Sequence, residues 1–435
     1  MAKSPAFACS ECGSAQPQWL GQCPSCGAWG TIEERGSSST KSSSIRLADV
    51  DALQADRRAS GIGELDRVLG GGLVRGSVVL LAGEPGIGKS TLALQLCRGF
   101  TNVLYAAGEE SPAQVKLRAD RISADAKRIT ITTDAAVEHI VAEIERARPD
   151  LVVVDSIQTM RVESPSAGTG AVNQIREATA ILLRAAKKLG IPTIIIGHVT
   201  KSGDIAGPML LEHLVDAVLI LEQDTSGAYR MLRGMKNRFG STDEVGLFAM
   251  DETGMREISN PSEILLPGGT VTAPGSAVVS SMEGRRPLIV ELQALTVSTA
   301  FGLPRRVSTG IDPNRLAMLL AVLERRGGIL ISRDDVYVNS AGGFRLKETA
   351  VDLGVIAAVA SAVRDRPLPE ATIFCGEVGL GGEVRPAGRL EQRLREAGAL
   401  GFRHAFIPQQ KVETPQGITT KIVRTIGEML SSLPQ

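Results

Sequence analysis

A glycine-rich segment carrying one lysine and one serine follows the apolar run Val78–Ala82, and a helix-favouring stretch begins at its end. In the pattern G-x-x-x-x-G-K-S, backbone N–H groups and the start of the next helix surround the β-phosphate. Lys89 would neutralise the β and γ oxygens, and the Ser90 hydroxyl would bind Mg²⁺. The segment predicts a site for a nucleoside triphosphate, expected to be ATP, although a plain strand-to-helix turn is an alternative. The predicted binding residues are Gly83, Glu84, Pro85, Gly86, Ile87, Gly88, Lys89, Ser90 and Thr91.

A second acidic motif supports this interpretation. Four apolar residues in Leu151–Asp155 deliver Asp155 at a strand end, where its carboxylate would hold the water shell of Mg²⁺. Hydrolysis also needs a group that orients the attacking water. Glu109, just after the run Val103–Ala107, is the first choice for this base and Glu110 the second. A solvated pair of loop carboxylates is the alternative.

Two other polar positions follow predicted strands. His198 ends an apolar run and could sense the γ-phosphate, although a hydrogen-bonded loop histidine is the simpler interpretation. Lys236 and Arg238 flank an asparagine on a predicted hairpin after Met231–Gly234. Two cations on a rigid hairpin suit a finger that reaches a neighbouring subunit's phosphates and stabilises charge in the transition state. A lone K-N-R triplet would otherwise be surface charge.

Four of the six cysteines lie within the first 26 residues. They form two C-x-x-C knuckles, each followed by a glycine, which is the spacing of a closed tetrahedral Zn²⁺ site. A redox-active pair would need a βαβ context that this segment lacks. The predicted zinc ligands are Cys9, Cys12, Cys23 and Cys26. Trp19 and Trp29 fall in the same module, and we expect them to form its small core rather than a contact surface.

Composition limits the class of protein. The chain has 435 residues with 48 basic and 48 acidic side chains, so any polyanion site must be a local patch. Aromatic residues make up 3%, which disfavours base stacking as the main mode of single-strand binding. No apolar run approaches a membrane span and no signal-peptide core opens the chain. We therefore expect a cytoplasmic protein that does not contact membranes.

Apolar strand-like runs alternate with helical stretches from about residue 49 to 264, which predicts an α/β fold with a predominantly parallel sheet covered by helices on both faces. We predict four regions: a zinc ribbon (1–35), a flexible Ser-rich linker (36–48), an ATPase core (49–265) and an α+β domain (266–435).

The ribbon, the phosphate loop, the K-N-R-F-G motif and the last domain occur in the order that is typical of the RadA (Sms) family of bacterial DNA-repair and recombination ATPases, which the chain resembles over nearly its whole length. The resemblance implies a RecA/DnaB-like core and a ring helicase, expected to be a homo-hexamer. Such a helicase would load on single-stranded DNA, drive branch migration on branched DNA, work with a recombinase partner, and associate with the nucleoid when active. It places Lys89, Ser90 and Asp155 in their nucleotide and Mg²⁺ roles, Glu109 as catalytic base, and Lys236 and Arg238 as the finger acting on the neighbouring subunit.

The last domain resembles the Lon protease domain, most clearly in G-E-V-G-L-G-G-E-V-R-P-A-G at 376–388. Lon cleaves peptides with a Ser-Lys dyad. Here Ala350, or its neighbour Thr349, stands in place of the serine, and Glu391 stands in place of the lysine. Without nucleophile and base, acyl transfer has no route, so we expect a non-proteolytic scaffold.

DNA contacts are expected in two places. Loop Val199–Met209, with Lys201, follows the predicted sensor strand and is the candidate central DNA loop. Arginines of the last domain are candidate phosphate contacts, although solvated arginines are commoner: Arg305, Arg306, Arg315, Arg345 and Arg385. Two other functions remain open, a protein-remodelling or protease-type machine that uses the Lon-like domain, and a nucleotide-switched signalling protein.

Overall fold

The computed structural model describes residues 7–34, 57–163, 172–198, 211–224, 227, 229–266, 273–299 and 302–434. The predicted linker 36–48 lies outside these residues. The described chain forms two compact units, residues 1–54 and residues 55–435.

The first unit is a three-stranded antiparallel sheet with strand order β2-β1-β3. Its strands are short: β1 (Phe7–Cys9), β2 (Ala15–Gln16) and β3 (Ile32–Glu34). Its apolar core consists of two cysteines and Ile32, with Phe7 and Leu20 packed against them. So small a core supplies little hydrophobic stabilisation, and a domain of this size normally needs a metal to fold.

The second unit contains a nine-stranded sheet with strand order β14-β13-β12-β11-β6-β10-β9-β7-β8. The six strands from β8 to β11 in this order are parallel, and β12, β13 and β14 continue the sheet antiparallel. The strands are β6 (Val78–Gly83), β7 (Val103–Ala107), β8 (Ile129–Thr132), β9 (Leu151–Asp155), β10 (Thr193–His198), β11 (Ala217–Gln223), β12 (Tyr229–Asn237), β13 (Val245–Asp251) and β14 (Gly254–Glu257). A short ribbon of β4 (Arg57–Arg58) and β5 (Leu73–Val74) precedes this sheet.

Helices cover both faces of this sheet, which explains its unbroken apolar runs. In β6, Val79 and Leu81 pack with helices α1 to α3, while Val78 and Leu80 pack with α4 and α5. The helices are α1 (Gly63–Leu69), α2 (Lys89–Leu96), α3 (Pro112–Arg121), α4 (Val137–Ala147), α5 (Val172–Leu189) and α6 (Pro261–Leu265). The predicted α/β class with a mostly parallel sheet is confirmed.

Local sequence sets where these helices begin. Helix α3 starts with a capping box: the Ser111 side chain accepts from the N–H of Gln114, and the Gln114 side chain accepts from the N–H of Ser111. Pro112 occupies the first helical position, where its missing N–H has no cost. This cap orients the loop of residues 108–111, which carries two acidic side chains of the site.

The last part of the chain forms a seven-stranded mixed sheet of order β17-β18-β16-β15-β19-β22-β23. Its strands are β15 (Ser276–Glu283), β16 (Arg286–Ser298), β17 (Arg306–Thr309), β18 (Asp334–Ser340), β19 (Thr372–Phe374), β22 (His404–Ile407) and β23 (Thr419–Ile422), with the separate hairpin β20 (Glu377–Val378) and β21 (Val384–Arg385). Its helices are α7 (Pro313–Gly327), α8 (Asp352–Arg364), α9 (Leu390–Ala399) and α10 (Ile426–Leu430).

The two large sheets share a hydrophobic core. Leu247 of β13, Ile258 and Leu265 belong to the same buried cluster as Val279 of β15 and Leu323 of α7. The predicted boundary at 265/266 stays a prediction, because both sides of it lie within one compact unit.

A buried ion pair joins the two sheets at this shared core. Arg286 of β16 lies 2.6 Å from Glu64 of α1, and the two side chains are 9% and 3% exposed. Arg286 also donates to the carbonyls of Ile258 and Ser259, while Glu64 accepts from the N–H of Leu247 at 2.8 Å. The charges are thus paired and hydrogen-bonded, the condition under which burial is tolerated.

No helix in the described part of the chain has the length and apolar character needed to cross a membrane.

We predict that Arg286→Met lowers the free energy of unfolding by about 3 kcal/mol, because it removes the close partner of the buried Glu64 and leaves only Arg67, at 3.5 Å, beside that charge. The measurement is the urea midpoint followed by circular dichroism. Arg285→Met is the matched control: Arg285 is adjacent and exposed, and its substitution should stay within about 0.5 kcal/mol. Equal losses for both variants would contradict the structural role of the pair.

Candidate nucleotide site and metal centre

The predicted phosphate loop connects β6 to α2. Residues 84–86 are exposed, and Gly86 and Gly88 have φ angles of 77° and 114°. The φ angle of Gly88 is one that other residues rarely adopt, so the backbone requires glycine there, while the nearby Met250 methyl group could move aside. The loop thereby folds tightly over the start of α2, whose free N–H groups favour an anion.

Lys89 points back into this loop. Its side chain is buried, and Nζ donates to the carbonyls of Gly83 and Glu84 at 2.9 Å each. Burial lowers the pKa of Lys89, and the negative charges of Asp155 and Glu109 oppose that shift. The Lys89 amine therefore lies inside the loop, where a bound phosphate group could accept its hydrogen bonds.

Asp155 stands at the end of β9, on the same sheet edge. It is 8% exposed, and the buried Tyr105 hydroxyl donates to its Oδ2 at 2.5 Å. Burial and then the charge of Asp155 raise the pKa of Tyr105 well above its ordinary value, so Tyr105 stays a donor that fixes this carboxylate. Ser90 lies in the first turn of α2. The carboxylate and hydroxyl oxygens of Asp155 and Ser90 are hard donors of the kind that suit Mg²⁺.

Glu109 and His198 meet, although they are far apart in sequence. His198 Nε2 lies 3.1 Å from Glu109 Oε1, and the Ser156 hydroxyl donates to the same oxygen. Partial burial raises the pKa of Glu109, but the hydrogen bond from Ser156 and the charge and hydrogen bond of His198 outweigh it and lower the pKa below its ordinary value. The Glu109 carboxylate is therefore ionised and oriented beside the phosphate loop.

Glu110 has a different environment. Its two oxygens accept from the guanidinium of Arg118 on α3 at 2.6 and 2.7 Å. A bidentate ion pair of this kind neutralises the carboxylate and ties up its lone pairs. The geometry leaves Glu109 as the better placed of the two acidic residues.

Lys236 and Arg238 lie at the opposite edge of the sheet. Asn237 pairs with Ala217, and Ala217 pairs with Val79 near the amino end of β6. The length of β6 separates them from their own phosphate loop, about 16 Å at 3.3 Å per residue. Within one chain, these two cations therefore do not reach the nucleotide site.

Both cations make contacts at that edge. Lys236 Nζ donates to the carbonyls of Glu212 and Val215, and Arg238 lies 3.5 Å from the buried Asp216. Burial, together with the charge of Arg238, lowers the pKa of Lys236. The triplet is consequently held in place rather than freely solvated.

Sequence reasoning missed three residues of the site. Arg230 at the start of β12 donates to the Ile87 carbonyl of the phosphate loop at 3.3 Å, and Tyr105 and Ser156 orient the two acidic residues. Tyr105 and Ser156 each adjoin a predicted motif, so their proximity could have been a signal. Arg230 had none, because only the pairing of β12 beside β11 brings it to the loop.

The arginines proposed as DNA contacts differ in how free they are. Arg315 forms a two-pronged pair with the buried Asp352, Arg306 donates to backbone carbonyls, and Arg385 pairs with Glu383 at 2.6 Å. Arg305 and Arg345 are exposed.

Arg345 also lines a cleft of about 490 Å³ together with Glu84 of the phosphate loop. Loop Val199–Met209, with Lys201, lies outside the described residues.

Two positions are predicted to stand in place of a Lon-type serine, Ala350 and Thr349, and only Thr349 carries a hydroxyl. Ala350 is buried, and its carbonyl accepts from the N–H of Gly376 at 2.8 Å. The neighbouring Thr349 hydroxyl donates to Glu377 at 2.6 Å. Glu391 pairs with Arg395 on α9.

The four predicted zinc ligands come together in the first unit. Their Sγ atoms all lie within 4.8 Å of one another, with Cys9 and Cys26 at 3.7 Å and Cys12 and Cys23 at 3.7 Å. The Thr31 hydroxyl, 3.2 Å from Cys9 Sγ, contributes most to lowering the pKa of Cys9 to about 6. Four convergent sulfurs fit a tetrahedral Zn²⁺ site.

The expectation for the two tryptophans is wrong. Trp19 and Trp29 are 61% and 75% exposed and flank Gly21 on the surface. The described strands bury only Cys9, Cys23 and Ile32, which leaves too little interior volume for an indole.

Family comparisons match both units. Residues 7–34 match the rubredoxin metal binding domain, and residues 42–204 match the AAA domain. The ribbon is thus a metal-binding module and the core an ATP-binding AAA domain.

Among solved structures, the KaiC-like protein PH0186 from Pyrococcus horikoshii OT3 is 22% identical with a TM-score of 0.40, covering 47% of this chain and 99% of that one. The RadB recombinase is 23% identical with a TM-score of 0.38, covering 46% of this chain and 100% of that one.

Full-length relatives are much closer. The DNA repair protein RadA of Bacillus subtilis (strain 168) is 45% identical, covering 98% of this chain and 97% of the relative. RadA of Pseudomonas aeruginosa is 45% identical over 98% of both chains, and RadA of Streptococcus pyogenes serotype M1 is 43% identical over 100% of both. Because these alignments cover nearly the whole chain at 43–45% identity, the chain belongs to the RadA family of DNA repair proteins.

Proposed function

We propose that this protein is a DNA-dependent ATPase and ring helicase that drives branch migration of recombination intermediates during DNA repair. One observation carries the proposal. The residues proposed to hydrolyse ATP lie at one edge of the central sheet, and Lys236 and Arg238, fixed by their contacts, lie at the other edge. A single chain has both halves of a hydrolytic site but cannot bring them together. A ring of identical chains can.

Each residue at the loop edge has a defined task in this proposal. Lys89 neutralises phosphate oxygens, and Ser90 and Asp155 hold Mg²⁺, which supplies charge neutralisation between the phosphates. Glu109 accepts a proton from the attacking water, since its lowered pKa keeps it ionised. His198 contacts Glu109 at 3.1 Å, so it can respond both to the γ-phosphate and to the base.

The opposite edge completes the site of the next subunit. Lys236 and Arg238 would reach the neighbour's phosphates and stabilise the charge that develops in the transition state. We propose a homo-hexamer because the resemblance to DnaB-like rings implies it. Each nucleotide then lies between two subunits, and its hydrolysis can move one subunit against the other.

DNA is the proposed substrate, in single-stranded and branched forms, with a recombinase as partner and the bacterial nucleoid as the place of action. The names of the RadA relatives support a role in DNA repair. The overall charge is neutral, so DNA binding has to depend on local patches and therefore on salt.

The alternative, a protease-type machine, finds no support in the Lon-like domain. A buried methyl group stands at Ala350, and Glu391 is already paired with a cation. Without an activated nucleophile, no acyl intermediate can form. We propose a scaffold role for this domain.

We predict that single-stranded DNA stimulates ATP hydrolysis by the wild-type protein, and that Lys89→Ala abolishes hydrolysis with and without DNA. Phosphate release is measured at two salt concentrations. Stimulation should weaken at the higher salt because phosphate contacts release counterions. Hydrolysis that ignores DNA would contradict the proposed motor and direct attention to protein substrates.

We predict that Glu109→Gln lowers kcat by roughly 100-fold or more, the usual contribution of a general base, while KM for ATP changes little. Glu110→Gln is the matched control, since it removes the same charge from the adjacent position. It frees Arg118 without touching the water-orienting group, so kcat should stay within about threefold. A larger loss for Glu110→Gln than for Glu109→Gln would reverse the assignment.

We predict that mixing two inactive variants restores hydrolysis. Lys89→Ala lacks a working phosphate loop and Arg238→Ala lacks the finger, so each alone should be inactive. In a mixed ring, some interfaces pair an intact loop with an intact finger, which should recover about a quarter of the wild-type rate at equal amounts. No recovery despite co-assembly in a pull-down would place Arg238 in the site of its own subunit.

A further inference from the structure

A second cleft lies at the amino-terminal edge of the central sheet. It has a volume of about 550 Å³ and is formed by the segments that precede three strands: Arg57, Arg58 and Arg75 before β6, Arg148 and Asp150 before β9, and residues 189–192 before β10. The phosphate loop follows β6, so the length of that strand separates the two places. We call this feature the arginine cleft.

The arginine cleft is strongly positive. Four arginines line it, and Asp150 is its only acidic residue. Asp150 is already engaged, since it accepts from the N–H of Thr101 at 3.2 Å and lies 3.5 Å from Arg58. In the described part of the chain, no carboxylate pairs with Arg57, Arg75 or Arg148. In a chain whose total charge is zero, so local an excess predicts an anionic ligand.

The guanidinium groups are held in position. Arg58 lies over the Phe100 ring, 4.3 Å from its centroid, and Arg57 donates to the Leu69 carbonyl at 3.0 Å. Arg75 lies against Gly190, where a Cβ would come within 2.7 Å of its Nε. Side chains fixed in this way lose less entropy when a ligand binds.

We infer that the arginine cleft is a second phosphate-binding site, separate from the phosphate loop. Guanidinium groups match phosphate oxygens in pairs of hydrogen bonds. The lining also includes Leu73 and Ile191, which are buried, so the accessible surface of the cleft is mainly polar and suits a phosphate group. Its volume falls in the range of sites for one nucleotide unit. The phosphate can belong to a DNA backbone, a source that rests on the proposed function, or to a free nucleotide.

The arginine cleft also contacts the finger. Besides Leu69, Arg57 donates to the Phe239 carbonyl in the turn that carries Arg238. The Leu69 carbonyl accepts from the Asn237 side chain as well, at 3.2 Å. A phosphate bound to the arginines is therefore connected, through Arg57, to the hairpin that would act on the neighbouring subunit. Phosphate in the cleft should raise the rate of hydrolysis through this link.

The test uses full-length protein with the double substitution Arg75→Ala and Arg148→Ala. Both side chains are exposed and lie outside the hydrolytic residues. The control is Arg121→Ala with Arg146→Ala, which removes the same charge from exposed positions outside the cleft. In the first arm, a labelled single-stranded oligonucleotide is titrated by anisotropy at several salt concentrations. In the second, pyrophosphate binding is measured by calorimetry in a Lys89→Ala background, which silences the phosphate loop.

If a DNA backbone is the ligand, the double variant weakens oligonucleotide binding and reduces the salt slope by about 0.7 per lost contact, or about 1.4 in all. The control keeps the wild-type slope. In the double variant, DNA-stimulated hydrolysis falls together with oligonucleotide binding, while the rate of hydrolysis without DNA is unchanged.

If only pyrophosphate binding is lost, the inference holds with a free nucleotide as the source. If the double variant matches the control in both arms, the inference is overturned. Failure of the wild-type protein to bind the oligonucleotide would instead refute the proposed DNA motor, and the second arm would still test the cleft.

Discussion

The parallel pairing of β7, β9, β10 and β6 is the constraint on which the rest of this structure depends. Parallel strands end at a common edge, so loops from distant parts of the chain must meet there. In the register, His198 pairs with Gly83 and Asp155 with Ala107. Backbone hydrogen bonding therefore makes neighbours of the phosphate loop and of His198, Glu109 and Asp155. Side-chain contacts such as that of Tyr105 with Asp155 only refine their orientation.

Strand β12 runs from this edge of the sheet to the opposite edge and also contacts the C-terminal sheet. Arg230 at its start contacts the phosphate loop, and Arg233 in its middle lies 2.7 Å from Glu283 of the C-terminal sheet. Lys236 and Arg238 stand at its far end. Strand β12 therefore links the phosphate loop, the C-terminal sheet and the segment with Lys236 and Arg238 by direct contacts. This link agrees with the core that the two sheets share.

The sequence predicted what depends on local pattern. Apolar runs located β6, β7 and β9 to within one residue, and the motifs located Lys89, Asp155 and the four cysteines. It ranked Glu109 above Glu110, but the partners that distinguish the two carboxylates, His198 and Arg118, are supplied only by folding. It misplaced both tryptophans, since apolar character alone predicts burial and the ribbon has too little interior. The sequence did not predict the arginine cleft either, because its four arginines are dispersed between residues 57 and 148 and none forms a motif.

The described residues of the two compact units differ in their content of charged side chains. The ribbon residues 7–34 contain three glutamates and no lysine or arginine, and four thiolates would give a bound Zn²⁺ site a net negative charge. Such a surface disfavours a phosphate backbone, and its two exposed tryptophans are typical of protein interfaces. Positive charge is instead concentrated on the larger unit, at the arginine cleft and around the finger. Both of these features lie at the sheet edge opposite the phosphate loop, so a ligand bound there would not compete with a nucleotide for that loop.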